Sequence, residues 1–225
     1  MNKAKARIVL DGWCSLMARS KPLDPEYSSR WVPSDFFRTF CWKEVFPTPQ
    51  PVELELGAGD GSFLVQYARA HPHINFFAVE RLLGRVRKMD RKSHIAGCCN
   101  IRLLRVEASY LLNHLIPEAS LQAIHLYFPD PWPKKKHHKN RLVNDHFANA
   151  CHRLLATAGC VYLRTDHGDY FEQMKEVFAH KKGFEQTPTP AKLLAFKTDF
   201  EAHFNQRGIE TQHACYLKKA SSNMP

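Results

Sequence analysis

Two stretches of the chain gather acids, glycines and cations at spacings that can do chemistry. The first is Glu53-Leu54-Glu55-Leu56-Gly57-Ala58-Gly59-Asp60-Gly61, which joins a short apolar run to an amphipathic one. Three glycines in a five-residue turn let a ligand approach the backbone, and acids beside them attract a cation. Glu80 lies 23 residues after Gly57, at the end of the next apolar run. In an open, solvent-facing cleft there, a carboxylate can accept both hydroxyls of a ribose. The second stretch runs from Leu126 to Leu142 and sets Asp130 between prolines, directly before Lys134-Lys135-Lys136-His137-His138-Lys139-Asn140-Arg141.

Two classes of nucleotide-like ligand fit the glycine turn. A dinucleotide sets its pyrophosphate on a helix N-terminus after G-x-G-x-x-G. Here the spacing is G-x-G-x-G, and Glu55 and Asp60 repel phosphate. S-adenosylmethionine suits the turn better, since it offers a sulfonium, an amino group, a ribose and an adenine without phosphate. For Glu55 the competing reading is a buried carboxylate satisfied by backbone N–H groups. Glu107, closing a third apolar run, is placed to accept from the exocyclic amine of adenine.

The cation run has a bland reading as a solvated loop. Against it stands the rigid Asp130-Pro131-Trp132-Pro133 segment, whose prolines hold the cations near one place. A polyanion-binding edge follows, and nucleic acid is the obvious polyanion. Charge distribution agrees: net charge is +10, and residues 131–182 carry ten basic against five acidic side chains. Trp132 offers either a stacking face or a wedge against the core.

These residues need a scaffold, and the periodicity supplies one. Strands are expected at Val52–Leu56, Ile74–Glu80, Asn100–Val106, Leu121–Phe128 and Cys160–Thr165. Helices are expected at Ser62–His71, Leu83–Ile95 (a basic one), Ser109–His114, Asn144–Ala156 and Tyr170–His180. Such alternation means an α/β fold with a doubly wound, mostly parallel sheet covered on both faces. Phe184–Thr187 and Thr211–Leu217 would add an antiparallel pair at the C-terminal edge, with a helix at Phe200–Gln206 between them. Residues 1–50 read as an N-terminal arm with one or two short helices near 34–45, and residues 51–225 as the domain.

At 225 residues with 44% hydrophobic and 24% charged side chains, the chain excludes a disordered or collagen-like polymer. No apolar run reaches 18 residues and the start lacks a signal-peptide core, so a cytoplasmic protein without membrane contact is expected. Seven scattered cysteines without a C-x-x-C pair read as free, mostly buried thiols, and no histidine pattern calls for a metal. Nothing demands an obligate protein partner, and either a monomer or a homodimer is compatible.

The run F-P-D-P-W-P-K-K-x-H-H-K-x-R-L over Phe128–Leu142 resembles the bacterial tRNA (guanine-N7-)-methyltransferase family. Thr165-Asp166, Thr198-Asp199-Phe200-Glu201 and Arg207-Gly208 extend the resemblance, which spans Val52 to the C-terminus. It implies a Rossmann-like class I methyltransferase with a seven-stranded sheet, acting with S-adenosylmethionine on N7 of guanosine 46 in the tRNA variable loop. It further implies that Glu55, Gly57, Gly59, Glu80, Glu107, Ala108 and Asp130 hold the cofactor. Lys134, Asp166, Thr198, Asp199, Phe200 and Glu201 are implied to meet the guanosine. Asp130 and Asp166 would be catalytic, and Lys135, Lys136, His138, Lys139 and Arg141 would contact RNA. Two positions depart from the family pattern: Glu107 stands where Asp or Asn is common, and Asp199 where a basic residue is usual. Asp166 also reads as an N-cap for the helix after it. An exocyclic-amine methyltransferase and a non-catalytic RNA-binding module on the same fold are the alternative functions.

Overall fold

Residues 28–220 are described by a computed structural model of the chain. Five parallel strands build its centre: β1 (Val52–Leu56), β2 (Asn75–Val79), β3 (Ile101–Leu104), β4 (Leu121–Tyr127) and β5 (Leu155–Thr165). Each of β1 and β2 is buried at every position, as strands covered on both faces must be. Two antiparallel strands, β6 (Phe184–Thr187) and β7 (Gln212–Lys218), complete one edge, giving the order β3-β2-β1-β4-β5-β7-β6. The strand order reverses between β1 and β4, which opens a crevice at the carboxyl ends of those two strands.

Five helices of eight residues or more lie against the sheet: α1 (Ser62–Ala70), α2 (Leu83–Ile95), α3 (Asp145–Leu154), α4 (Gly168–Ala179) and α5 (Asp199–Gln206). Buried apolar faces decide the places of the first four, whereas α5 buries only Glu201. In α2, for example, Val86 and Met89 are buried against β2 and β3 in one cluster, while its cations face out. No helix among the described residues is long and apolar enough to cross a membrane.

The structure departs from the sequence reading at several boundaries. The helix expected to reach Ala156 stops at Leu154, because Leu155 already pairs with Leu121 and opens β5 five residues early. Ala158 takes φ +62° to turn the chain through this irregular start. Between 34 and 45 a single helical turn forms, Trp42–Val45. Trp31, Phe40 and Trp42 meet Phe77 edge-on or tilted, and Phe40, Val45 and Phe46 are buried in the main core. Burial of such side chains is worth ~1.5–3 kcal/mol each, so residues 31–46 belong to the domain's packing. Unexpected short turns occur at Lys135–Asn140 and Ala191–Leu194. The six cysteines among the described residues are free thiols, but only Cys151 and Cys215 are buried.

Candidate active site

Loop geometry after β1 follows from its glycines. Gly57, Gly59 and Gly61 have φ of +67°, +58° and +76°, a region costly for residues bearing a Cβ. A Cβ on Gly57 or Gly59 would meet nothing within 4 Å, so the backbone there faces open space that a ligand can fill. At Gly61 it would lie 2.6 Å from Met89 Cγ, so this glycine serves the packing of α2 beneath the loop.

Two adjoining cavities occupy the crevice. One, of about 490 Å³, is lined by Gly57, Glu80, Glu107, Ala108, Asp130 and Trp132, among others. The other, of about 940 Å³, is lined by Glu55, Gly59, Asp130, Thr198, Asp199 and Phe200, among others. Asp130, Tyr127 and Phe128 border both. Phe128 and Trp132 flank Asp130 with φ of +50° and +45°. Left-handed backbone at non-glycine residues costs ~1–3 kcal/mol each and concentrates at functional sites.

Glu55 is fully buried, and its Oε2 has no hydrogen-bond partner. Desolvation pushes its carboxyl up to about 8; Arg164 opposes the shift and Asp60 adds to it. The alternative of a carboxylate satisfied by backbone N–H groups is thus not what the structure holds. Glu80 is different from expectation. It is 6% exposed, and its oxygens accept from Gly59 N at 3.2 Å and Leu82 N at 2.8 Å, with Arg85 at 3.6 Å. Far from standing in an open cleft, it ties the glycine loop to the start of α2. A carboxylate has about four acceptor positions, so capacity remains toward the cavity it lines. Glu107 also does local work, accepting from Tyr110 N at 2.9 Å as a helix cap. Asp60 does not act as a free anion, because Lys88 and Lys92 each reach its Oδ2 at 2.8 Å. Partial burial disfavours its charge, and these ammonium groups override that, holding the carboxyl below the usual range.

Several expected contacts are corrected by their surroundings. Arg141 is 2% exposed, donating to Pro131 O, Gln173 Oε1 and Asp169 Oδ2 at 2.6–2.8 Å while its guanidinium covers Tyr170. It cannot reach an RNA phosphate; it clamps the cation loop to α4. His138 Nε2 is buried 3.7 Å from Asp169, so this ring also turns inward. Lys134, Lys135, Lys136 and Lys139 are exposed without an ion pair among the described residues, and Lys139 lines the smaller cavity. Glu201 does not face the crevice: it is 4% exposed and paired with Arg164 at 2.8 Å. Thr198 caps α5 through its hydroxyl, which accepts from Glu201 N, although the residue borders the larger cavity. Asp199 and Phe200 line that cavity as well, and Asp199 N donates to Ser62 Oγ. Asp166 stands exposed after β5 and lines neither cavity. It is not the N-cap of α4, since His167 fills that position by accepting from Tyr170 N.

Residues the sequence reading missed hold this arrangement from behind. Arg164 is 1% exposed and donates to Leu193 O, Phe196 O and Glu201, with its guanidinium 4.4 Å from the Tyr127 ring. It thereby draws the segment carrying Thr198 to Phe200 onto the strand ends. Behind Tyr127 runs a buried chain in which His125 Nδ1 meets the Tyr127 hydroxyl at 2.6 Å and His125 Nε2 meets Glu53 at 2.8 Å. The only sequence signal was a charged residue inside an apolar strand, which marks a buried group needing partners.

A family model described as a putative methyltransferase matches residues 49–214. The tRNA (guanine-N(7)-)-methyltransferase of Alkalilimnicola ehrlichii is 34% identical over 169 residues, 74% of this chain and 70% of its own length. The protein of the same name from Vibrio vulnificus is 38% identical over 176 residues, 75% of this chain and 74% of its own. Among solved structures, the 16S rRNA methyltransferase KamB aligns with a TM-score of 0.57 at 11% identity, over 80% of this chain and 93% of that one. Likeness at that identity speaks for the fold alone. Sequence kinship over three quarters of the chain, laid on a methyltransferase sheet, places this chain in the tRNA (guanine-N(7)-)-methyltransferase family.

Proposed function

We propose that the chain transfers the methyl group of S-adenosylmethionine to N7 of a guanosine in tRNA, the variable-loop guanosine at position 46. The observation that carries this reading is Asp130, shared by two cavities and flanked by strained backbone. In this reading the cofactor extends from the smaller cavity, lined by Glu80, Glu107 and Ala108, past Gly57 to the Glu55 and Gly59 end of the larger one, whose Asp199 and Phe200 side takes the base. The donor set fits such a cofactor: the unpartnered Glu55 Oε2 suits an amino group, Glu80 a ribose, and Glu107 with Ala108 the adenine edge. Gly57 and Gly59 leave the space in which it would lie. When bound, it supplies an electrophilic methyl on a sulfonium.

The protein's own part is positioning and charge. Guanine N7 has an in-plane lone pair, so no base is required to create the nucleophile. Alignment of such reactants can supply ~7–11 kcal/mol. Methylated guanine gains positive charge, and Asp130 and Asp166 sit at neighbouring strand ends, where Phe128 N bonds Arg164 O. Asp130, which borders both cavities, favours that charge and can accept from N1–H and the 2-amino group of the base, and Asp166, exposed outside them, adds negative charge at the neighbouring strand end. Asp199 and Phe200 border the base side, and Phe200 offers an exposed ring for stacking. Lys135, Lys136 and Lys139 provide the phosphate contacts, and Lys134, expected at the guanosine but lining neither cavity, is read with them. A stacked base cannot reach a strand-end crevice, so a nucleotide of a loop is the fitting substrate.

Bulk tRNA lacking the modification, incubated with the protein and labelled cofactor, should become cleavable by borohydride followed by aniline. That chemistry acts on the cationic ring of N7-methylguanosine. Label incorporated into RNA that resists cleavage would assign an exocyclic amine or N1 instead. Binding without label transfer would mark a non-catalytic module.

A further inference from the structure

Helix α2 carries a charge pattern that works against its own stability. Arg85, Arg87, Lys88, Arg91 and Lys92, with Arg81 just before the helix, share the segment with one helical acid, Asp90, which is 3% exposed and taken by Ser28 Oγ, Ser29 N and Arg30. At 100° per residue, the buried Val86, Met89, Asp90 and Ser93 fill one arc, and Arg85, Arg87, Lys88, Arg91 and Lys92 fan across the other. Arg87/Arg91 and Lys88/Lys92 are like-charge pairs four apart on the helix, each unfavourable. The first turn holds no acid and has no side-chain cap, so Arg85 also opposes the helix dipole there. Asp60 relieves Lys88 and Lys92, Asp199 lies 3.6 Å from Lys92, and Glu80 lies 3.6 Å from Arg85. Arg81, Arg87 and Arg91 have no carboxylate partner among the described residues. A face kept merely for solubility interleaves the two signs; this one does not.

Its location supplies the purpose. Arg81 and Arg85 line one side of the smaller cavity, and Lys139 and Trp132 line it from the loop after β4. Cations thus border the crevice on two banks, and the arginines of α2 continue outward from one of them. We propose that α2 is a second phosphate-binding surface for tRNA, so that the RNA spans the crevice instead of resting on the Lys134–Lys139 loop alone. This deepens the proposed function and rests on tRNA being the substrate. Anion binding relieves the repulsion stored in the helix.

The test is a double variant, Arg87→Gln with Arg91→Gln, whose side chains line neither cavity. The slope of log K for tRNA against log[salt] should shrink by about 1.4–1.8, two contacts at ~0.7–0.9 each. Affinity at 0.1 M salt should fall on the order of tenfold, while cofactor affinity stays unchanged. Melting temperature without RNA should hold or rise, since a repulsive pair is removed, so lost binding cannot be ascribed to unfolding. A wild-type protein that methylates N7 together with a double variant of unchanged slope overturns this surface and leaves the proposed function standing. A wild-type protein that neither binds nor methylates tRNA overturns both.

Discussion

Glu55→Gln should weaken cofactor binding while making the cofactor-free protein more stable at alkaline pH. Burial holds the Glu55 carboxyl at about 8 against an ordinary 4.5, so about 0.9 of folded molecules keep the proton at pH 7. A cationic group seated against the unpartnered Oε2 needs the carboxylate, so binding should release up to about 0.9 proton at pH 7 and about 0.1 at pH 9. Affinity should accordingly rise about tenfold per pH unit below 8. The stability sign is the reverse. Below pH 4.5 both states hold the proton and Glu55 contributes nothing. Between about 4.5 and 8 only the unfolded state has lost it, so stability falls as pH rises, by at most about 1.4 kcal/mol per unit. Above 8 the penalty is constant, and the glutamine variant, free of it, should melt higher than wild type. Calorimetry at pH 7 in two buffers of different ionisation enthalpy counts the protons, and subtracting the Glu55→Gln result removes ionisation of the ligand itself. No proton release, or unchanged affinity in the folded variant, would refute the idea that a buried, unpaired acid recognises the cofactor's cation.

Glu80→Ala should cost both binding and folding: ~1.5–3 kcal/mol of cofactor affinity, and a lowered melting temperature because the N–H groups of Gly59 and Leu82 lose their acceptor. Unaltered melting would show that the loop does not depend on this tie. Arg141→Met should destabilise by about 3 kcal/mol, since three hydrogen bonds from a buried guanidinium vanish, yet leave the tRNA salt slope as it was. A reduced slope in thermal-shift-corrected binding would restore Arg141 as a phosphate contact. Asp166→Asn should lower kcat roughly 10²–10³-fold with cofactor affinity intact, the size expected for one charge aimed at a developing cation. Full activity would remove Asp166 from the reaction, and its exposed position outside both cavities makes this a sharp test.

The order of strands and helices was legible in sequence because each element carries its own signal: period 3.6 in α1, unbroken apolar runs in β1 and β2, glycines where the chain must take positive φ. Which acids would gather at the crevice was also legible, since Glu55, Glu80, Glu107 and Asp130 close apolar runs or follow them and are local in the chain. What local spacing does not contain is how many partners a side chain meets. Arg141 and Lys139 are two residues apart in one basic run, yet one is buried on α4 and the other exposed. Glu201 and Asp199 share one motif, yet Arg164, 37 residues from Glu201 in the chain, claims the first and leaves the second beside the cavity. Residues 31–46 looked like an arm because their aromatics show no periodicity, and only Phe77, on a distant strand, makes them core. Charge and type are properties of the sequence; burial, and hence whether a charge binds a ligand or braces the fold, is set by contacts that only chain closure creates.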